Sequence, residues 1–299
     1  MNTSKSAVRK PRPASTVILV READEKIQIY LIRRSRKSAF MPGNYVFPGG
    51  NLEPDDWDFE FWTKQIDLDS KEIEQRLGGG LRVETAVAYG IAAIRETFEE
   101  AGILMVKEGQ HDRRLSGIQE RRMNNKLKPG WFMEWVKSEK VMLSLSELKR
   151  WSYWITPKAR SHRYDTRFFL TFTPEGQVCI PDNREMTHGL WVGPEEGLTG
   201  NQRGETPLSP PALVTLHELL SFGRSEDLKK EIKNRPWGRP RLSILKRFSE
   251  GELILLPGDP DYGKESELEP GIISKERISP GKTFTRLWCQ DGIWSPVEV

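Results

Sequence analysis

Cysteine is nearly missing from this 299-residue chain. Its two copies, Cys179 and Cys289, stand far apart and outside any CxxC spacing. That excludes a disulfide scaffold and a zinc module, and it fits a reducing compartment, the cytoplasm. A long apolar run is missing too: no segment approaches the ~20 residues of a membrane span, so no membrane partner is expected. Charge of one sign is also scarce. A net charge of +3 is too small to argue for a nucleic-acid partner. The opening MNTSKSAVRKPRPAS is basic but lacks the apolar segment of a secretory signal, so residues 1–13 read as a flexible basic tail. The closing SPVEV is not a peroxisomal address of the SKL type. No internal repeat or low-complexity array is present.

Ten Trp and twelve Phe among 36% hydrophobic residues supply a real core, which argues against general disorder. The length suits one large domain or one domain with a substantial extension. STVILVRE (15–22) and IQIYLIRR (27–34) are β-branched runs around ADEK and predict a hairpin. MPGNYVFPGGNLEPDD (41–56) is loop chemistry around a short apolar YVF. DFEFWTKQI and SKEIEQRL read as short amphipathic helices, the second closed by GGG at 78–80. A long helix is predicted from about Val83 to Ala101, with Val87, Ile91, Ile94 and Phe98 on its apolar side and Gly102 as its stop. Residues 105–150 lean helical. RFFLTFT (167–173), QVCI (177–180) and HGLWVG (188–193) read as strands, and PPALVTLHELLSF (210–222) as a helix opened by prolines. Beyond Arg235 the composition turns to short strands, with an Asp291-Gly292 hairpin signal. The order predicts a mixed α/β (α+β) sandwich rather than a doubly wound sheet.

The long helix poses a problem of charge. In AAIRETFEEAG (92–102), Glu96, Glu99 and Glu100 share one face at i, i+3 and i+4. Like charges so placed destabilise an isolated helix by roughly 0.2–0.5 kcal/mol per pair. A solvated face explains most helices of this kind. The full pattern R-E-x-x-E-E-x-G is rarer, expected by composition in on the order of one chain in a few thousand. A Gly-Gly loop stands upstream of it, and an apolar Ile103-Leu104 follows.

Together these residues resemble the Nudix hydrolase signature, G-x5-E-x7-R-E-U-x-E-E-x-G-U with U aliphatic. Gly50 fits the first glycine, Asp56 the first acid, and Arg95, Glu96, Glu99, Glu100, Gly102 and Ile103 the second half. Asp56 stands where Glu is usual, and Thr97 stands at an aliphatic position. The seven-residue spacer has grown to 38 residues, 57–94. A box split in this way resembles the branch of the peroxisomal coenzyme A diphosphatase (nucleoside diphosphate-linked moiety X motif 19) and its bacterial relatives. RRSRKSAFMPGNYVFPGG (33–50), WSYWITP (151–157), RYDTRFFL (163–170) and LSPPALVTLHELL (208–220) match it further.

The resemblance implies a Nudix α/β/α sandwich over residues 14–223, with an insertion at 57–88 and a β-rich C-terminal extension, 224–299, packed on the core. It implies Mg²⁺ or Mn²⁺ held by Glu96, Glu99, Glu100 and the carbonyl of Gly49, and Arg95 as the arginine that orients a glutamate. Clustered carboxylates raise one another's pKa unless a cation sits among them, and hard oxygen donors suit these metals rather than zinc. Glu185, six residues before Trp191, is the candidate for an extra ligand or general base; the bland alternative is a polar loop residue. Gly50, Arg163 and Asp165 are candidates for the substrate pocket, a structural ion pair being the alternative for the last two.

The basic cluster Arg113, Arg114, Arg121, Arg122, Lys126 and Lys128 reads as a solvated helix face rather than a phosphate site. His162 and His188 read as structural, and Trp151 and Trp154 as core. The substrate implied is coenzyme A or an acyl derivative, cleaved to 3′,5′-ADP and 4′-phosphopantetheine. The short coenzyme A motif of another Nudix branch, like L-L-T-x-R, is absent. Another dinucleotide, a nucleotide sugar or capped RNA is the alternative substrate. A non-catalytic Nudix binding module is disfavoured because all three glutamates are intact. A homodimer remains open.

Overall fold

A computed structural model describes residues 9–107, 114–124 and 126–299. β1 (Arg12–Ala23) and β2 (Lys26–Arg34) form the predicted hairpin. Asp24 and Glu25 between them have φ of 50° and 61°, as a two-residue loop of the I′ kind requires. β3 (Tyr45–Val46) follows, and the diglycine opens β4 (Gly49–Asn51). The insertion carries α1 (Phe59–Trp62) and α2 (Ser70–Ile73), which runs on as a wider turn over Glu74–Gly78. α3 (Val83–Ala101) is the predicted long helix, and Gly102 ends it at φ 75°. In that left-handed conformation a side chain is strained, so glycine is the natural stop.

α4 (Arg114–Met123) and α5 (Trp131–Glu139) make up the helix-leaning stretch. Then come β5 (Lys149–Ile155), β6 (Tyr164–Phe172) and β7 (Met186–Val192). α6 (Pro194–Gln202), α7 (Pro210–Leu219) and α8 (Ser225–Lys233) lead to the C-terminal strands. These are β8 (Arg241–Leu242), β9 (Ile244–Phe248), β10 (Gly251–Leu255), β11 (Arg286–Gln290) and β12 (Ile293–Val297).

The main sheet runs β3-β2-β1-β6-β5-β8, with β4 also on β1 and β7 on β2. β1 pairs parallel with β6 and antiparallel with β2, so the sheet is mixed. Both its faces are buried, and the period of two divides the residues between them. Val17, Leu19, Tyr30 and Ile32 pack with α3. Ile18, Val20, Ile29 and Leu31 pack with α7 and with Leu245, Ile254, Leu287 and Trp294 of the second, antiparallel sheet β12-β11-β10-β9. The result is helix, sheet and helix in three layers. Thr97, at the aliphatic position, is fully buried, and its hydroxyl donates to the Ala93 carbonyl at 2.7 Å. The bond satisfies the hydroxyl inside the helix.

One predicted strand is not formed. Residues 177–180 are irregular, with Val178 71% and Ile180 43% exposed. Only Cys179 turns to the core, and the segment is held by single bonds to the end of α3 and the residues after it, the Ile180 N–H donating to the Ala101 carbonyl at 2.8 Å. Gln177 donates to the Leu104 carbonyl and accepts from its N–H, both at 2.8 Å.

Candidate active site

The two halves of the split box meet at one buried ion pair. Arg95 and Asp56 are each 2% exposed. The Arg95 guanidinium donates from Nε to Asp56 Oδ1 at 3.1 Å and from Nη2 to Oδ2 at 2.8 Å. Such a fork is geometrically demanding and about twice as strong as neutral hydrogen bonds. Asp56 Oδ2 also accepts the Glu53 N–H at 2.7 Å. The remaining Arg95 donors reach the Asn51 carbonyl at 2.8 Å, Glu96 at 2.8 Å and Glu99 at 3.4 Å. Arg95 is therefore a hub that orients two of the glutamates.

Each glutamate has a separate anchor. Glu96 takes Arg95, Glu99 accepts the Trp131 indole N–H at 2.6 Å, and Glu100 accepts the Gly49 N–H at 2.8 Å. The diglycine is needed for space. A Cβ on Gly50 would lie 2.4 Å from the Glu96 carboxyl carbon, and one on Gly49 would lie 2.2 Å from the Ser15 carbonyl oxygen. Residues without a Cβ permit this approach of β4 to α3 at Gly50 and to β1 at Gly49.

Burial sets the electrostatics. It pushes the Glu96 carboxyl up to about 8, with Glu99 adding repulsion and Arg95 opposing. Burial raises Glu99 as well, against Arg95 and the Trp131 N–H. Glu100 stands well above the ordinary carboxylate range, first through burial and then through Glu96, with Gly49 N–H and Arg34 opposing. One arginine does not neutralise this set. The helix face is not a solvated one; it is a desolvated acidic cluster short of positive charge.

Glu96, Glu99 and Glu100 line a cavity of about 550 Å³ together with Arg34, Arg160 and Lys128. As placed, the carboxylates grip protein donors. Among the described residues no three acid, histidine or cysteine side chains converge tightly enough to cage an ion. The donor set nevertheless fits a hard divalent cation in kind, being all oxygen, on one cavity wall, with excess negative charge.

Of the candidate residues, Gly49, Gly50 and Glu185 also line this cavity, and Arg95 stands behind its wall. Glu185 is placed by Asp182, whose carboxylate accepts the N–H groups of Arg184 at 3.0 Å and Met186 at 2.9 Å and, more weakly, Glu185 at 3.4 Å. Arg163 and Asp165 do not line the cavity. Arg163 donates to the carbonyls of Thr156 at 3.2 Å and Arg9 at 2.6 Å. Asp165 accepts from Tyr153 at 3.0 Å and Tyr89 at 3.3 Å. The reason is register. Tyr164, Thr166 and Phe168 of β6 face the cavity, so their odd-numbered neighbours point to the other face.

The basic stretch also departs from a solvated face. Arg122 is fully buried and donates to the Glu99 carbonyl at 2.9 Å and the Ile180 carbonyl at 2.5 Å, satisfying the end of α3. Lys128 reaches the cavity, Arg121 and Lys126 are exposed, and Arg113 lies outside the described residues. His162 and His188 are exposed rather than built into the core. Trp151 and Trp154 are buried, but Trp154 also lines the cavity. Sequence reasoning missed Trp131, Arg34, Arg160 and Asp182 as site residues. Arg34 alone carried a signal, since it lies second in the matched stretch that ends at the diglycine.

The fold is that of a Nudix hydrolase. The solved NUDIX hydrolase from Alicyclobacillus acidocaldarius superposes with a TM-score of 0.57 at 23% identity, covering 77% of this chain and 100% of that one. Residues 4–219 match the NUDT19 Nudix domain, and the chain belongs to that family of Nudix hydrolases. It is 30% identical over 309 residues to the acyl-coenzyme A diphosphatase NUDT19 of Xenopus laevis, across 89% of this chain and 81% of the relative. The Homo sapiens protein of the same name is 27% identical over 304 residues, across 88% and 81%. Nudix hydrolases generally use divalent metals and act on small nucleotide-linked substrates. Among the described residues no helix is long and apolar enough to cross a membrane.

Proposed function

We propose that this chain hydrolyses the pyrophosphate bond of coenzyme A or an acyl-coenzyme A, releasing 3′,5′-ADP and 4′-phosphopantetheine or its acyl form. The observation that carries the reading is the placement of Glu96, Glu99 and Glu100 in one cavity that Arg34, Arg160 and Lys128 also line. Carboxylates alone would repel a diphosphate; carboxylates for a metal, beside cations for the phosphates, suit it. The printed names of the Xenopus laevis and Gallus gallus relatives, acyl-coenzyme A diphosphatases, support the substrate.

Mg²⁺ or Mn²⁺ would be held by Glu96, Glu99, Glu100 and the Gly49 carbonyl, with Glu185 as further ligand or general base. Bound there, the metal supplies polarised phosphoryl oxygens and a more acidic water. Arg95 fixes Glu96 and Glu99 in place without reaching the cavity. Arg34 and Lys128, which line the same cavity, meet the anionic substrate, with Arg160, itself paired with Glu252 at 2.6 Å, further along it. Residues 14–223 would form the catalytic domain, and 224–299 an extension whose Leu245, Ile254, Leu287 and Trp294 join its core. Two free cysteines agree with a cytoplasmic setting.

The test is incubation of the purified chain with coenzyme A and Mg²⁺ or Mn²⁺, reading 3′,5′-ADP by chromatography. Glu99→Gln and Glu100→Gln should each lower turnover about a hundredfold or more, as loss of a preorganised charge at a reacting centre does. Wild-type turnover in both variants across a panel of diphosphates would overturn the assignment of α3. Tight nucleotide binding without hydrolysis would favour a binding module.

A further inference from the structure

The cavity continues well beyond the carboxylates. Its lining steps across neighbouring strands, from Gly49 and Gly50 of β4 to Ala14 and Thr16 of β1, Thr166 and Phe168 of β6, and Trp154 of β5. The steps are in register: Thr16 lies opposite Gly49 on one side and Phe168 on the other, and Thr166 lies opposite Trp154. With about 4.8 Å between strands, three steps cover ~14 Å. The chemistry changes along the way. The glutamates stand at the β4 end. The β5 end is walled by Trp154, Ile155, Pro157, Phe168 and Pro210 and by Ile254 of β10, with Arg160, paired with Glu252 of the same strand, and the hydroxyls of Thr156, Ser209 and Ser243 at its margin.

Aromatic and aliphatic side chains make up most of this far end, and its one arginine is held by a carboxylate. The Phe168 ring sits 6.5 Å from Phe47 and 6.4 Å from Trp154, in edge-on and tilted contacts. The Trp154 indole N–H is bonded to the Ser152 hydroxyl at 3.2 Å, so the ring offers the cavity carbon rather than a free donor. Ser243 and Ile254, 5% and 3% exposed, complete the wall. Both lie beyond residue 219, where the Nudix-domain match ends. The C-terminal region thus contributes directly to the cavity that holds the glutamates.

We propose that the apolar end of the cavity binds the acyl chain of an acyl-coenzyme A, and that Ile254 and Ser243 set how long a chain fits. The proposal rests on the coenzyme A reading above and adds the subsite and its specificity residues. Each methylene buried there is worth about fourfold in affinity. The acyl chain gains from the chamber until it meets the C-terminal wall.

The experiment measures kcat/KM of the full-length protein for acetyl-, hexanoyl-, lauroyl- and palmitoyl-coenzyme A. Each value is divided by the same variant's kcat/KM for free coenzyme A. Ile254→Trp and Ser243→Phe shorten the chamber and should lower the ratio for the longest accepted chain at least about tenfold, the scale of one misfitting methylene or more. Ile254→Ala should shift the preference to longer chains and serves as the reading if the bulky variants do not fold. Unchanged chain-length ratios in every folded variant that cleaves free coenzyme A would overturn the acyl subsite alone. A wild-type protein that cleaves another diphosphate and neither coenzyme A nor its thioesters would overturn the substrate reading first, and the subsite with it.

Discussion

Removing the Asp56 carboxylate tests the buried fork that joins the two halves of the box. Asp56→Ala deletes two bonds to Arg95, at 3.1 and 2.8 Å, and one from the Glu53 N–H. Hydrogen bonds to charged groups contribute about 1.5–3 kcal/mol each, which for the pair at Arg95 gives roughly 3–6 kcal/mol. Breaking a buried ion pair by removing one partner costs about 3–5 kcal/mol. Arg95 would keep Glu96, Glu99 and the Asn51 carbonyl, so its charge is not left alone. The lower end, about 3 kcal/mol, is the expected loss.

Urea unfolding read by tryptophan fluorescence, with metal chelated, measures that loss as a shift in midpoint at constant slope. Turnover should fall with it. Arg95 positions Glu96 and Glu99, and a misplacement of about 1 Å can cost a hundredfold in rate. A double-mutant cycle with Arg95→Met isolates the coupling. If Asp56→Ala loses under about 1 kcal/mol and turns over substrate like wild type, the fork is not what assembles the site.

Three further outcomes follow from the same geometry. The Glu96 carboxyl is raised from its ordinary value, 4.5, to about 8, so the folded state binds more protons than the unfolded one between those values. Stability of the chelated protein must then fall as pH rises through that window. Thermal unfolding should show the decline in wild type and a flatter profile in Glu96→Gln, and Mg²⁺ should raise Tm more near the top of the window than at its bottom; a rising profile contradicts this. Trp131→Phe keeps a ring beside Phe98, 5.5 Å away, but removes the 2.6 Å donor to Glu99. Its kcat should drop about tenfold, the equivalent of one hydrogen bond to a charged group, and unchanged kinetics would free Glu99 from that anchor. Gly50→Ala places a Cβ 2.4 Å from the Glu96 carboxyl carbon and should abolish most turnover while circular dichroism stays native; an active variant would show that Glu96 can be placed elsewhere.

The elements that sequence revealed are those whose signal is local. α3 was legible at both ends because its apolar period runs within its nineteen residues and Gly102 directly follows them. The β1–β2 hairpin was legible from two β-branched runs and a polar turn. QVCI carried the same local signal and misled, because burial of a strand depends on neighbours that the sequence does not name. The Nudix box grouped Gly49, Glu96, Glu99 and Glu100, and all four line one cavity. Trp131, Arg160, Ser243 and Ile254 were invisible there, since each arrives from a distant element through tertiary packing. Arg163 and Asp165 sat in a matched stretch, yet fell on the wrong face of β6. One residue of register decides that, and a motif match does not.

The length of the insertion becomes intelligible through the same fork. Extending the spacer in the box from seven residues to 38 raises the entropy of closing the loop by about 1.5 kcal/mol, given a logarithmic dependence on length. Once folded, parting the almost fully buried Arg95–Asp56 pair would leave a buried charge uncompensated at a cost of about 3–5 kcal/mol, so the ends stay together however the chain between them wanders. The added residues also bring their own burial. Trp62, Ile73 and Leu77 are at most 1% exposed and join the core around α3. Trp62 further donates its indole N–H to the Asp55 carbonyl at 2.8 Å, beside the fork. A split box therefore need not be a weakened one: the insertion packs against the helix whose glutamates it separates from the diglycine only in sequence.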